Sequence, residues 1–308
     1  MRHLRTMNDL MNEEIMGLIE EAMEFQQGKQ WTPETPTFVA NLFYESSTRT
    51  KCSFEVAERR LGLHVLPFEV STSSVNKGES LYDTAKTLQS LGVSALVIRH
   101  PEEEYFNQLH NVKTVIINGG DGCGNHPTQS LLDMMTIYQE FRKFADLKIT
   151  IIGDIRHSRV ARSNAEVLHR LGADVKFVAP DEWKDDSYPE NAYITMDEAI
   201  KTSDVVMLLR IQHERHHTGK AGLDDYHQEY GMTIQREKEM KPKSIIMHPA
   251  PINRGVEIAS ELVECERSRI FKQMENGLYM RMAVLKRALT NNEGGNEHEN
   301  IIKEWEMA

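Results

Sequence analysis

Short apolar runs alternate with segments of helical spacing along most of this chain, and this alternation constrains the fold more than any other feature. Residues 38–45 are typical of a strand buried on both faces, and the spacing that follows predicts a helix closed by Gly62. The alternation starts afresh at Leu147 with a strand, a helix closed by Gly172 and another strand. Such βαβ units build parallel sheets with right-handed crossovers. The sequence therefore predicts an α/β fold of two domains, each a parallel sheet flanked by helices.

The helical segments indicate how the two domains are joined. A long pattern from about Thr128 to Phe144 is expected to be a bridging helix. The last helical pattern, from about Ser268 to Leu289, is expected to break near Gly277 and to return to the first domain. We therefore expect residues 1–131 to form the first domain, with a C-terminal helix of about 277–308 packed on it, and residues 132–276 to form the second. Residues 291–300 are poor in apolar residues and are expected to be disordered.

Charge and cysteine content restrict the possible functions. The formal net charge of −11 argues against nucleic acid as the main partner. No apolar run approaches the ~20 residues of a membrane span, and no apolar segment follows residues 1–5 to form a signal peptide. The three cysteines share no metal-type spacing, and His213, His216 and His217 are poorly spaced for zinc. We expect a cytoplasmic protein without a membrane partner, a metal or a cofactor.

A cluster of hydroxyls around one arginine follows the first buried strand. Residues 46–50 read Ser-Ser-Thr-Arg-Thr and open the predicted helix. A helix N-terminus offers free backbone N–H groups and a favourable dipole, so added hydroxyl and guanidinium donors make an anion site. The alternative is an ordinary Ser or Thr N-cap beside a surface arginine. The local sequence favours the two interpretations about equally.

Positively charged residues recur at equivalent places in the predicted sheets. Ligands of open α/β sheets bind at the carboxyl ends of the strands. Arginines follow four such ends, and a histidine follows another: Arg49, Arg99, Arg159, Arg210 and His126. A single arginine of this kind is usually solvated or salt-bridged. Four of them in an acidic chain indicate small substrates with several negative charges, because the guanidinium pairs bidentately with carboxylate and phosphate.

Two polar loops complete the candidate site. The glycines of residues 119–124 do not fit G-x-G-x-x-G, so this loop is expected to be mobile or tight and to place His126 and Gln129 at the mouth of the next helix. Residues 71–79 form a serine-rich loop that carries Lys77. By itself, this second loop is more typical of a solvated surface segment.

Three motifs in this order resemble the signatures of the carbamoyltransferase family. They are Ser47-Thr48-Arg49-Thr50, His126-Pro127-Thr128-Gln129 and His248-Pro249-Ala250-Pro251, and the resemblance extends to about Leu289. Within the family, Lys77, residues 210–212 and residues 248–254 resemble the catalytic chains that use aspartate. The His-Cys-Leu-Pro and Ser-Met-Gly sequences of the ornithine enzymes are absent.

The resemblance implies transfer of a carbamoyl group from carbamoyl phosphate to the amine of L-aspartate, the committed step of pyrimidine biosynthesis. It implies that Ser47, Thr48, Arg49 and Thr50 hold the phosphate, and that Arg99, His126 and Thr50 polarise the carbamoyl carbonyl. Gln129 and the backbone carbonyls of the turn at Ala250 and Pro251, with a cis bond before Pro251, would bind the carbamoyl amide. Arg159 would bind the α-carboxylate of aspartate, and Arg210 with Gln212 the β-carboxylate.

The resemblance further implies a homotrimer with shared active sites. Lys77, with Ser73 or Ser74, would reach in from the adjacent subunit and contribute to the aspartate site. The family spacing favours Ser73, but Ser74 lies beside it. The sequence does not decide whether a regulatory chain or another pyrimidine enzyme binds the trimer. Two other functions stay open: a carbamoyltransferase for a different amine, ornithine first, and an inactive relative that senses an anionic metabolite.

Overall fold

The computed structural model describes residues 3–211 and 226–290. The chain forms two compact units, of which the first comprises Met1–Thr128 and Leu278–Ala308 and the second comprises Gln129–Gly277. Each unit contains one four-stranded sheet, and every strand pairing within the sheets is parallel. The predicted fold class, two parallel α/β domains, is therefore confirmed.

The sheet of the first unit has the strand order β2-β1-β3-β4. Its strands are β1 (Phe38–Phe43), β2 (His64–Leu66), β3 (Val93–His100) and β4 (Val115–Asp121), and its helices are α1 (Asn12–Gln26), α2 (Thr48–Arg60) and α3 (Leu81–Ser90). The central strands are buried because both of their faces carry apolar side chains, as in Val39 and Leu42 of β1 and Leu96 of β3. Helix α2 contributes Phe54 and Ala57 to the core.

The strand order creates a switch point between β1 and β3. From β1 the chain crosses to β2 on one side and later returns to place β3 on the other. Helix connections diverge at such a point and leave a crevice at the carboxyl ends of the strands. The segment that opens α2 follows β1 directly, and Arg99 lies near the end of β3 in register with Phe43. The first candidate anion site therefore lies at the switch point of its sheet.

The sheet of the second unit repeats this arrangement with the order β6-β5-β7-β8. Its strands are β5 (Lys148–Ile152), β6 (Asp174–Val178), β7 (Val205–Leu208) and β8 (Ile245–Met247), and the helices α5 (Arg159–Arg170), α6 (Met196–Thr202) and α7 (Ile234–Glu239) lie in the same unit. The switch point falls between β5 and β7. Arg159 begins the helix after β5, and Arg210 follows β7. The second pair of predicted arginines therefore also lies at a switch point.

Two helices connect the units along the chain. Helix α4 (Pro127–Phe141) begins at the end of the first unit and continues into the second, and α8 (Ile270–Thr290) returns from the second to the first. Helix α8 runs unbroken through Gly277, so the break expected there was wrong; a helix tolerates one glycine at a cost of ~1 kcal/mol. Within the first unit, Lys286 of α8 pairs with Glu21 of α1 at 2.7 Å. Among the described residues, no helix is both long and apolar enough to cross a membrane.

Candidate active site

The N-terminus of α2 presents its donors outward. Thr48 and Arg49 are exposed at the first turn, whereas Thr50 is buried, with 6% of its surface exposed. Ser47 occupies the N-cap position, but its hydroxyl caps no backbone N–H group in the described chain, and no acidic residue occupies the first turn. Ser47 therefore occupies the N-cap position without the side-chain hydrogen bond of an ordinary cap. The donors and the helix dipole favour an anion at this position.

Arg99 is held in a defined orientation at the end of β3. Its Nη1 donates to the backbone carbonyl of Gly119 on β4 at 3.1 Å, and its Nη2 lies 3.2 Å from Oε2 of Glu45. Only 12% of the Arg99 side chain is exposed. A guanidinium fixed in this way needs little rearrangement to bind an anion, which is a condition for electrostatic catalysis.

The loop that precedes His126 is tight. Buried Asp121 accepts hydrogen bonds through Oδ1 from the backbone N–H of Asn125 at 2.7 Å and through Oδ2 from that of Glu104 at 2.8 Å. A Cβ atom on Gly122 would come within 2.6 Å of the Pro101 carbonyl oxygen, so only glycine fits this turn. His126 follows the loop, is 6% exposed and immediately precedes α4. Of the mobile and tight alternatives, the structure selects the tight one.

A buried carboxylate organises the polar residues of the second unit around Gln129. Oδ1 of Asp133 accepts from Nε2 of Gln129 at 2.9 Å and from Nε2 of Gln273 at 2.8 Å. Oδ2 of Asp133 accepts from Nδ2 of Asn164 at 2.8 Å. Burial raises the pKa of Asp133 to about 6, although the three amide donors act in the opposite direction.

The turn after β8 is connected to the same network. The backbone N–H of His248 donates to Oε1 of Gln273 at 2.9 Å, and the backbone N–H of Ala250 donates to Nδ1 of His248 at 2.9 Å. The peptide bond from Ala250 to Pro251 is cis, as the resemblance implies, and Ala250 has a φ of +54°. The backbone of this turn is thereby held at His248 by Gln273 of α8, whose amide nitrogen in turn contacts Asp133 of α4.

In the segment after β7, both the backbone N–H and the backbone carbonyl of Ile211 are hydrogen-bonded by side chains. The backbone N–H of Ile211 donates to Oε1 of Glu257 at 2.7 Å, and its carbonyl accepts from Nδ2 of Asn253 at 2.9 Å. Oε2 of Glu257 accepts from the backbone N–H of Asn253 at 2.8 Å, and burial raises the pKa of this carboxyl to about 7. Arg210 directly precedes Ile211, whose backbone Glu257 and Asn253 hold in place. Gln212, assigned to the same carboxylate, lies outside the described residues.

The remaining predicted residues occupy a helix start and a surface loop. Arg159 is the first residue of α5, whose N-cap Ser158 accepts from the backbone N–H of Ala161 at 3.1 Å. Lys77 ends a short 3₁₀ helix (Ser74–Lys77) and is exposed. Ser73 caps this 3₁₀ helix and donates to the Val70 carbonyl at 2.9 Å.

The two serines of this loop differ in their surroundings. The hydroxyl of Ser73 takes part in local hydrogen bonds of the loop, whereas Ser74 is exposed at the start of the 3₁₀ helix. A hydroxyl that caps its own loop is partly committed, so the environment favours Ser74 as the more available donor. The family spacing favours Ser73, and the assignment of one of them to a ligand stays a prediction.

Sequence reasoning missed the residues that support the site. Asp133 lies four residues after Gln129 on one helix, and this spacing places the two side chains on the same face. That signal was available in the sequence. Glu45 gave no comparable signal, because its partner Arg99 lies on another strand. The bonds from Glu257 and Asn253 to Ile211 gave none either, because they join two loops that are distant in sequence. Within residues 3–211 and 226–290, no cluster of three or more His, Cys, Asp or Glu side chains is arranged to hold a metal ion.

Family models match both halves of the chain. Residues 2–139 match the aspartate/ornithine carbamoyltransferase carbamoyl-P binding domain, and residues 145–288 match the aspartate/ornithine carbamoyltransferase Asp/Orn binding domain. Two doubly wound α/β units with cationic residues at their switch points are thus accounted for by one class of transferase. The chain belongs to the aspartate/ornithine carbamoyltransferase family.

Solved structures similar to this chain include aspartate transcarbamoylases. The catalytic subunit from M. jannaschii is 32% identical, with a TM-score of 0.84 over 96% of this chain and 100% of that one. The Trypanosoma cruzi enzyme in complex with carbamoyl phosphate is 31% identical, with a TM-score of 0.81 over 92% of this chain and 94% of that one. The same enzyme with N-(phosphonacetyl)-L-aspartic acid matches at 31% identity and a TM-score of 0.80 over the same shares.

Proposed function

We propose that this protein is the catalytic chain of an aspartate carbamoyltransferase. It transfers the carbamoyl group of carbamoyl phosphate to the amine of L-aspartate and releases N-carbamoyl-L-aspartate and phosphate, the committed step of pyrimidine biosynthesis. One observation carries this proposal: the aspartate transcarbamoylases found in complex with carbamoyl phosphate and with aspartate align over 92% of the chain. We assign residues 1–131 to carbamoyl phosphate and residues 132–276 to aspartate.

The phosphate is assigned to the N-terminus of α2. Ser47, Thr48 and Thr50 supply hydroxyl donors there, and Arg49 supplies a guanidinium. The geometry supports this assignment, because the first turn carries no acidic side chain and its donors lie at the switch point of the sheet. An anion bound at this position is stabilised by the helix dipole and by charge-assisted hydrogen bonds.

The carbamoyl group is assigned donors for its oxygen and acceptors for its nitrogen. Arg99, His126 and Thr50 polarise the carbonyl oxygen. Gln129 and the backbone carbonyls of Ala250 and Pro251 accept from the amide. Arg99 suits its role, because its contacts with Gly119 and Glu45 hold it in one orientation before the substrate arrives.

The acceptor amine is selected by its two carboxylates. Arg159 binds the α-carboxylate, and Arg210 with Gln212 binds the β-carboxylate. The placement of both arginines at the switch point of the second sheet supports this division. An ornithine side chain ends in a cation, which Arg210 would repel, so the arginine pair favours aspartate.

The chemical step is a direct displacement. The lone pair of the neutral amine forms a bond to the carbamoyl carbon, and the bond from that carbon to the phosphate oxygen breaks. Arg99, His126 and Thr50 stabilise the charge that develops on the carbonyl oxygen, and the departing phosphate accepts the amine proton. Catalysis then rests on positioning and electrostatics, without a covalent enzyme intermediate.

We further propose that the protein acts in the cytoplasm as a homotrimer with shared sites. Lys77, with Ser73 or Ser74, serves the active site of the adjacent subunit. The exposure of Lys77 on a polar loop supports a role outside its own chain. None of the three cysteines, all of which are described, forms a disulfide, in keeping with a reducing compartment.

An amine panel tests the proposed function. The purified chain is incubated with carbamoyl phosphate and with aspartate, ornithine or other amino acids, and both phosphate and carbamoylated product are measured. We expect turnover with aspartate and little with ornithine. Turnover with ornithine would assign the other branch of the family. Binding of carbamoyl phosphate without turnover of any amine would indicate an inactive relative.

A further inference from the structure

Asp133 is a fully buried carboxylate whose hydrogen-bond partners are all neutral amides. Its exposed fraction is 0%, and it accepts from Gln129, Gln273 and Asn164. No cation contacts it in the described part of the chain. Burial of a charge without a counterion is costly, so an apolar side chain of similar size would be the more economical filling for a core. This cost points to a role beyond packing.

The carboxylate determines which way the amide of Gln129 faces. A carboxamide can exchange its oxygen and nitrogen positions by rotating half a turn, and the two orientations differ only in their hydrogen bonds. An ionised carboxylate accepts but cannot donate. The orientation with Nε2 towards Asp133 therefore gains a charge-assisted hydrogen bond, and the reverse orientation brings two oxygens together. Oε1 of Gln129 is directed away from Asp133, and nothing in the described residues donates to it.

The same carboxylate orients the turn after β8 through Gln273. Nε2 of Gln273 is engaged by Asp133, so its Oε1 faces the backbone N–H of His248, which donates to it at 2.9 Å. His248 in turn accepts from the backbone N–H of Ala250. One buried charge thus sets the direction of a glutamine carbonyl and the position of a backbone turn.

We propose that Asp133 is a positioning residue that makes the site selective for a carbamoyl group over other acyl groups of the same size. It orients two sets of acceptors, Oε1 of Gln129 and the carbonyls of the turn at Ala250 and Pro251, towards the two N–H bonds of the carbamoyl nitrogen. This inference rests on the proposed function, in which these acceptors bind the carbamoyl amide. It adds the residue that keeps these groups oriented as hydrogen-bond acceptors.

Acetyl phosphate is the probe that isolates this role. It has a methyl group where carbamoyl phosphate has its amide nitrogen, so it retains the phosphate and the carbonyl but donates no hydrogen bond. The measured quantity is the ratio of the dissociation constants of acetyl phosphate and carbamoyl phosphate, obtained by displacement of N-(phosphonacetyl)-L-aspartate at equilibrium. A general loss of fold or of phosphate binding changes both constants together and leaves the ratio unchanged.

Two substitutions test the role of Asp133 at different strengths. Asp133→Leu removes both carboxylate oxygens, and we expect the ratio to fall by about tenfold, as for the loss of a hydrogen bond. Asp133→Asn retains one acceptor oxygen and loses the charge, so we expect a smaller fall, of about threefold. Glu58→Gln is the matched control, because it neutralises another buried carboxylate, which accepts from Asn41 and contacts neither Gln129, Gln273 nor the turn after β8. Its ratio should equal that of the wild type.

Each outcome decides between the alternatives. A wild-type ratio in the folded Asp133 variants overturns the inference and leaves a merely structural acid. If Asp133→Leu does not fold, Asp133→Asn decides alone. An equal fall in the Glu58→Gln control also overturns it, because the loss would then be general. A wild-type protein that does not prefer carbamoyl phosphate to acetyl phosphate contradicts the proposed function itself.

Discussion

The side-chain amide of Asn253 donates to the backbone carbonyl of Ile211 at 2.9 Å, and this bond links the turn after β8 to the segment after β7. Glu257 completes the link by accepting from the backbone N–H groups of both residues. Ile211 is itself fully buried, in a cluster with Trp183 and Tyr226. The backbone at Arg210 is therefore set by a neighbouring loop and does not depend on β7 alone.

Arg210 is expected to determine the affinity for the acceptor amine. Arg210→Ala should raise the KM for aspartate by at least tenfold, because a charge-assisted pair contributes ~1.5–3 kcal/mol. The KM for carbamoyl phosphate should stay near the wild-type value. Arg254→Ala is the control, since Arg254 is an exposed arginine of the neighbouring loop. Steady-state kinetics with each substrate varied in turn check this, and an equal loss for both substrates would make the strand end structural.

Glu257→Gln is expected to loosen the acceptor site while leaving its arginines in place. Glutamine has one acceptor oxygen for donors that now share two, so the bond to Ile211 or to Asn253 is weakened. The KM for aspartate should rise several-fold, and less than in Arg210→Ala. If Glu257 acts through Arg210, the KM for aspartate of the double variant should be no higher than that of Arg210→Ala alone. Additive losses would show that the two residues act independently.

Arg49→Ala is expected to reduce turnover by ~10²–10³-fold, the usual effect of removing one donor from a developing charge. Arg49 is exposed in the first turn of α2 and belongs to no apolar run, so the melting temperature should change little. Arg59→Ala provides the control, because it removes an exposed arginine from the last turn of the same helix. Near-normal turnover in Arg49→Ala would contradict the assignment of the phosphate to this helix.

Lys77 is expected to act in the neighbouring subunit. Lys77→Ala and Arg49→Ala, each nearly inactive alone, are dissociated and reassembled together. In a shared-site trimer some hybrid sites combine an intact Arg49 with an intact Lys77, so part of the activity should return. If Lys77 served its own chain, every site would retain one lesion. Activity that stays at the parental level after proven subunit exchange would exclude the shared site.

Asp133 is expected to make the stability of the fold depend on pH. The pKa of Asp133 is about 6 in the folded chain against 3.8 for an unperturbed aspartate, so the folded state holds the proton more tightly. The contribution of Asp133 to the free energy of unfolding is therefore most favourable below about pH 4. It falls by ~3 kcal/mol as the pH rises through about 6. Asp133→Asn lacks this titration. Its stability relative to the wild type should therefore rise over that range in urea unfolding, and a constant difference would contradict the raised pKa.

Much of the fold could be predicted from local sequence, because each strand or long helix is marked by the apolar pattern of its own residues. Most strands are short, apolar and buried on both faces, so runs such as residues 95–98 identify them without knowledge of their neighbours. The starts expected for α4 and α8, at about Thr128 and about Ser268, lie within two residues of those observed. Gly277 shows the limit: a glycine weakens a helix by itself, but burial of residues such as Met280 and Val284 on the same helix outweighs the loss.

The candidate site divides in the same way. Arg49 and Arg99 could be placed at the carboxyl ends of the strands of one sheet, and Arg159 and Arg210 at those of the other, because this rule needs only the order of the elements. The orientation of Gln129 and of the peptide at Ile211 depends on Asp133, Gln273 and Glu257. Gln273 reaches Asp133, and Glu257 reaches Ile211, from distant parts of the chain. Such hydrogen bonds form only after the sheets assemble, since a buried amide finds its partner in space, whereas an apolar period is written along the chain.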